Sequence, residues 1–189
     1  AVQMRMLRTL VTPLSSDALR AEALAMQSAM SARAFNLGGR AAFETLMTRL
    51  KSTVDKAAAQ AEEMRQMLEA SFRELNTEFG FAFALSEVPT LAPFKHDLEL
   101  IAENYSRYLG LGQVWRMAAP GFADQFRRML LSKLRVVFEN AVGELELWSK
   151  SAQSQVEVQL RERRSSFARR RDALQRVQGA SGELEQRIA

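Results

Sequence analysis

Apolar residues recur along this chain at helical spacing, and the longest such pattern lies between residues 40 and 79. There Phe43, Met47, Leu50, Val54, Ala57, Ala61, Met64, Leu68, Phe72, Leu75 and Phe79 alternate in steps of four and three, with one extra step of four. The average lies close to the 3.5–3.6-residue repeat of a helix packed lengthwise on another. No glycine or proline interrupts it, so it predicts one rod of roughly 60 Å at 1.5 Å per residue. A stalk or extended bundle needs such a rod, whereas a compact globule rarely does.

A second rod follows. From Phe122 to about Gln178 there is no proline, and Gly143 is the only glycine. Phe126, Met129, Leu130, Leu134, Val137, Phe138, Ala141, Leu145, Trp148, Ala152, Val156, Leu160, Phe167, Leu174 and Val177 trace one face. A continuous helix would reach roughly 85 Å, and Gly143 costs it about 1 kcal/mol against alanine, enough to permit a bend. Gly179 and Gly182 mark a hinge before a last helical start at Glu183.

The remaining segments are shorter. Residues 2–12 predict a helix ending at Thr12-Pro13, and Ser15, Ser16 and Asp17 offer an N-cap to the next. That helix carries Leu19, Ala23, Met26, Met30 and Leu37 on one side and stops at Gly38-Gly39. Gly80 closes the first rod, Phe81 to Leu85 alternates with small residues as a short extended stretch, and Pro89 and Pro93 make a loop. Lys95 to Leu109 reads as a helix with Leu98, Ile101, Ala102, Tyr105 and Tyr108 or Leu109 inward. Gly110 and Gly112 break it, Val114 to Ala119 forms a short turn of helix, and Pro120-Gly121 is a corner.

The expected fold is therefore all-α: an elongated antiparallel helical bundle or coiled coil with two very long helices. Two such rods, linked by a shorter helix and loops, should fold back as antiparallel hairpins. Residues 1–178 form the stalk-like bundle, and 179–189 begin a further, truncated helix. Past residue 155 the longer rod overruns its partners, and its stripe thins to Leu160, Phe167 and Leu174, spaced by seven. A lone helix with so narrow a seam is marginal in water, so the chain is expected to self-associate as a homo-oligomer.

Composition agrees with helix. Gly and Pro number only 9 and 4, and apolar and charged residues make up 47% and 25% of the 189 residues, as in ordinary folded domains. The absence of cysteine excludes disulfides and thiolate metal sites, and fits a reducing compartment. No apolar run is long enough to span a bilayer, and the first ten residues lack the order of a signal peptide. The chain starts without methionine and stops in mid-pattern, so it reads as a fragment.

Charge is unevenly placed. Residues 1–94 hold ten basic and ten acidic side chains, while 95–189 hold sixteen and twelve, the full excess of +4. Arg161, Arg163, Arg164, Arg169, Arg170, Arg171 and Arg176 are opposed within their stretch only by Glu162 and Asp172. Guanidinium forks suit phosphate and carboxylate, which makes an anionic lipid surface a candidate partner. The plainer reading is a solvated helix whose partner acids lie on a neighbouring chain. Nucleic acid is disfavoured, since aromatic interleaving is limited to Phe167.

Catalytic signatures are missing. None of the nine glycines precedes a lysine, so the P-loop pattern fails, and neither G-x-G-x-x-G nor G-x-S-x-G occurs. His96, the only histidine, reads as a solvated or capping residue near a helix start. Glu139, Glu144 and Glu146 lack the Glu-x-x-His companions of a bundle metal site and read as surface charge. Trp115 and Trp148 read as core residues. No catalytic residue, cofactor or metal is expected within the chain.

Two stretches, Tyr-Leu-Gly-Leu-Gly-Gln-Val-Trp-Arg at 108–116 and Gly-Glu-Leu-Glu-Leu-Trp-Ser-Lys at 143–150, are followed by Gln-Leu-Arg-Glu-Arg-Arg at 159–164. Together they resemble the helical region after the GTPase domain of bacterial dynamin-like proteins. The resemblance implies a GTPase head elsewhere in the parent chain, with this part as the stalk that self-associates, transmits head movements and places the assembly on a membrane. It implies a cytoplasmic protein peripheral to the inner membrane. Phe79, Phe81 and Phe83 around Gly80 are the candidates for a lipid-inserting tip, and a buried hairpin corner explains them equally. The competing readings are a coiled-coil scaffold or adaptor without a GTPase partner domain, and a nucleic-acid-associated protein using the arginine run.

Overall fold

The computed structural model describes residues 2–32, 39–109 and 121–188, with side chains over 4–31, 39–109 and 121–178. Leu37, Gly38, Gly110, Gly112, Val114 to Ala119 with Trp115, and Pro120 lie outside the described residues, as does most of the 108–116 stretch. Five α-helices are described: α1 (Val2–Val11), α2 (Ser16–Ala32), α3 (Gly39–Phe79), α4 (Ala92–Tyr108) and α5 (Phe122–Ile188). No strand occurs among the described residues. The fold is an all-α antiparallel bundle with two very long helices, as the periodicity requires.

Local chemistry sets the helix ends. The Ser15 hydroxyl accepts a hydrogen bond from the Ala18 amide at 3.2 Å, which fills one of the orphan donors at the start of α2. The rod α3 runs unbroken for 41 residues until Gly80, whose φ of +62° turns the chain out of the helix. Helix α4 starts at Ala92, three residues ahead of the expected Lys95, because Pro93 sits in its first turn. Proline costs nothing there, since that amide has no intrahelical acceptor.

Aromatic contacts and ion pairs fix the directions. Arg49 of α3 pairs with Glu22 of α2 at 3.4 Å, while Ala42 and Ala29 share one groove further along, so these helices oppose one another. Asp55 meets Lys95 at 2.9 Å, and Phe43 meets Tyr105 with ring centres 6.3 Å apart, so α4 also runs against α3. Tyr108 stacks on Phe122, and Tyr105 meets Phe126 edge-on, which sets α4 against α5. Each rod thus forms its hairpin with a shorter helix. The rods themselves occupy diagonal corners and share a direction: Phe43 meets Phe126 near one end, and Gly80 meets Arg163 at the other.

One apolar core runs through the bundle. Leu19, Met26, Phe43, Leu46, Leu50, Leu98, Phe126, Leu130 and Leu134 fill the four-helix part. Above the level where α2 begins, Leu7, Leu10 and Leu14 continue the core beside Val54, Ala57, Ala61, Met64, Leu145 and Trp148. Two details differ from the sequence reading. Met129 faces outward, and α5 passes Gly179 and Gly182 without a break, so 179–188 continues the same helix instead of starting another. A glycine costs a helix about 1 kcal/mol, which weakens that stretch without ending it.

Candidate assembly surface

Residues 80–91 cross from α3 to α4 as an extended strap laid along α5. The Gly80 carbonyl accepts from Arg163, both backbone groups of Ala82 bond Gln159, the Ala84 amide bonds Gln155, and the Ser86 carbonyl accepts from the Trp148 indole. Two extended residues advance about 6.6 Å and one four-residue helical step about 6 Å. The strap and the side chains at 163, 159 and 155 therefore stay in register, running in opposite directions.

The strap is held from α3 as well. Asn76 donates to the Phe83 carbonyl at 2.9 Å and accepts from the Phe83 amide at 2.8 Å. Gln159 treats Ala82 the same way, at 2.8 and 3.0 Å. In an extended chain successive backbone groups point to opposite sides, so two side-chain amides act as the missing neighbouring strands. Replacing Asn76 by alanine leaves both groups of buried Phe83 without their partners and is expected to cost about 1–3 kcal/mol. Amide exchange at Phe83 should accelerate accordingly; unchanged protection there would show that Asn76 is not a clamp.

Arg163 is a latch. Its guanidinium lies over the Phe81 ring at 4.5 Å and donates to the Gly80 carbonyl at 2.5 Å. A Cβ on residue 80 would come within 3.3 Å of that guanidinium, at a φ that disfavours side chains anyway. Arg163 therefore leaves the expected anion-binding cluster. Phe83 is buried against Phe72, with ring centres 5.1 Å apart, and Phe81 stacks on it at 4.7 Å. Phe83 is thus held inside the bundle and Phe81 is half-buried, while Phe79 stays exposed at the end of α3.

Beyond Arg163 the helix α5 runs on alone among the described residues. The span 164–188 projects past the end of α3 by about 37 Å. Leu160 just before it, and Phe167, Leu174 and Val177 along it, are 41, 61, 64 and 67% exposed. Phe167 lines a shallow notch with Gly80, Phe81, Arg163 and Arg170, so the stripe looks toward the strap side of α5. Arg161, Arg164, Arg169 and Arg170 are exposed, with no acidic partner among the described residues, and Arg171 reaches only Asp172 at 3.4 Å. A second apolar line, Met129, Val136, Leu147 and Val158, is exposed on the outer face of α5.

The other candidates are surface or core residues. His96 is exposed, 3.9 Å from Glu99. Glu139 pairs with Arg135 at 2.6 Å and Glu146 with Lys150 at 3.9 Å, and no metal-ligating cluster occurs among the described residues. Trp148 is buried in the core. No described helix is long and apolar enough to cross a membrane. Most ion pairs are exposed, and Arg127 with Asp124 is part-buried at 2.7 Å; the Arg65 and Gln66 hydrogen bonds hold the Glu62 carboxyl down at about 2.

Comparison with protein-family models, with curated proteins and with solved structures finds no match. The clamp residues Asn76, Gln155 and Gln159 escaped the sequence reading. Their signal was present: Gln155, Gln159 and Arg163 step by four and continue the buried face of Leu145, Trp148 and Ala152 with polar groups.

Proposed function

We propose that this chain is a non-catalytic helical stalk that assembles through the projecting end of α5. One observation carries the reading: the face of α5 that the strap covers through Gln155, Gln159 and Arg163 continues uncovered as the apolar Phe167, Leu174 and Val177. A single helix exposing such a seam gains little from its own hydrogen bonds in water, and burying the stripe on a partner supplies the missing stabilisation. The resemblance at 143–150 and 159–164 adds that the stalk belongs to a dynamin-like GTPase, with its head elsewhere in the parent chain and its arginines toward an anionic lipid surface. A P-loop in the parent reading frame is the test of that addition, and a parent with only coiled-coil sequence would favour a scaffold.

Sedimentation velocity tests assembly directly. The intact chain is expected to form dimers or larger species with rising concentration. The variant Leu160→Gln, Phe167→Gln, Leu174→Gln should remain monomeric and match the denaturation midpoint of the intact chain diluted to its monomer, because none of the three side chains is buried within one chain. A strict monomer at the highest attainable concentration would remove the assembly role.

A further inference from the structure

Resting on that assembly reading, we infer that the stripe is covered by the same segment of a second copy in antiparallel orientation. Space is the first reason. Below Arg163, the side of α5 that carries the stripe is occupied by the chain's own strap and α3, as the Gly80–Arg163 and Ala82–Gln159 hydrogen bonds show. Packed helices sit about 8–10 Å apart. A parallel pair would have to fit two straps and two copies of α3 into that gap at one level. An antiparallel pair puts the two bodies at opposite ends and leaves only helix against helix between them.

Charge is the second reason. Arg161, Arg164, Arg169, Arg170, Arg171 and Arg176 outnumber Glu162 and Asp172 toward the foot of the overhang, whereas toward its end Glu183 and Glu185 outnumber Arg187 in the sequence. Parallel pairing sets the arginine stretch beside its own copy at the foot and Glu183 and Glu185 beside theirs further on. Antiparallel pairing sets the arginine stretch of one copy beside the glutamate-bearing stretch of the other, at both ends of the dimer. Residues near Leu174 and Val177 fall close to the two-fold axis, because they lie between the arginine stretch and Glu183 and Glu185 that this pairing brings together.

The natural chain has no cysteine, so single cysteines report the orientation. In the intact protein Leu174→Cys should form an interchain disulfide on mild oxidation, while Leu160→Cys should not. In the antiparallel dimer the two 160 positions are separated by about 40 Å at 1.5 Å per residue, whereas a disulfide needs Cα atoms within about 7 Å. Equal cross-linking at both positions would mean a parallel pair, overturning the orientation but not self-association. A dimer that cross-links at neither position buries another face, and the inference falls. A monomer that co-sediments with phosphatidylserine vesicles would assign the stripe to lipid and overturn both.

Discussion

Truncating Phe126 to alanine is expected to destabilise the protein by about 3–5 kcal/mol, the range for a large aromatic removed from a packed core. Phe126 is 1% exposed. Its ring meets Phe43 edge-on at 5.8 Å and Tyr105 at 5.6 Å, and stacks against Phe122 at 5.9 Å. Those rings come from α3, α4 and α5, so the cavity would open where the two rods and α4 meet and could not be refilled by one helix shifting. Urea denaturation followed by circular dichroism should show a lower midpoint at similar slope, the sign of lost stability without a change in the surface exposed. Phe167→Ala is the matched control on the same helix. Phe167 is 61% exposed, so the monomer's stability should shift by less than about 0.5 kcal/mol. A comparable loss at both positions would mean that the overhang is not free of its own bundle.

The contrast between those two phenylalanines marks how far the sequence could be read. Periodicity places both on the apolar stripe of α5, and it cannot say where the covering helix stops. For α3 the reading was nearly complete: an uninterrupted four-three repeat, closed by Gly80, left no other element compatible with the pattern. The periodicity led to rods folded back on each other, whereas they share a direction, because that depends on what returns between them. The strap and α4 together bring the chain back to its starting level, which sends α5 up beside α3 again. Arg163 was misread for a related reason. By sequence it is one arginine in a run, and only the arrival of Gly80 and Phe81 beneath it separates a latch from a solvated charge. The hinge at Gly179 and Gly182 was overestimated because glycine lowers helix stability without dictating a turn.

The bundle's two halves are held differently, and Trp148→Ala should expose that difference. Trp148 is buried and donates its indole N–H to the Ser86 carbonyl at 3.0 Å. Its removal is expected to cost about 3–5 kcal/mol through lost packing. The hydrogen bond is a minor part of that, because Ser86 is exposed and water can replace the indole; Trp148→Phe should therefore cost only about 1 kcal/mol. Where the damage appears matters more than its total. Around Trp148 the place of α4 is taken by a strap held only through side chains, so loss of the indole should free residues 80–91 first. Limited proteolysis is expected to cut within 80–91 in Trp148→Ala, while amide protection at Leu98 in α4 persists under the same conditions, as for a locally opening unit. Phe126→Ala should produce the reverse order, with α4 losing protection before the strap is cut. If both variants loosened both halves together, the molecule would be one cooperative unit from the four-helix end to Arg163, and the strap would be no weaker than the helix it replaces.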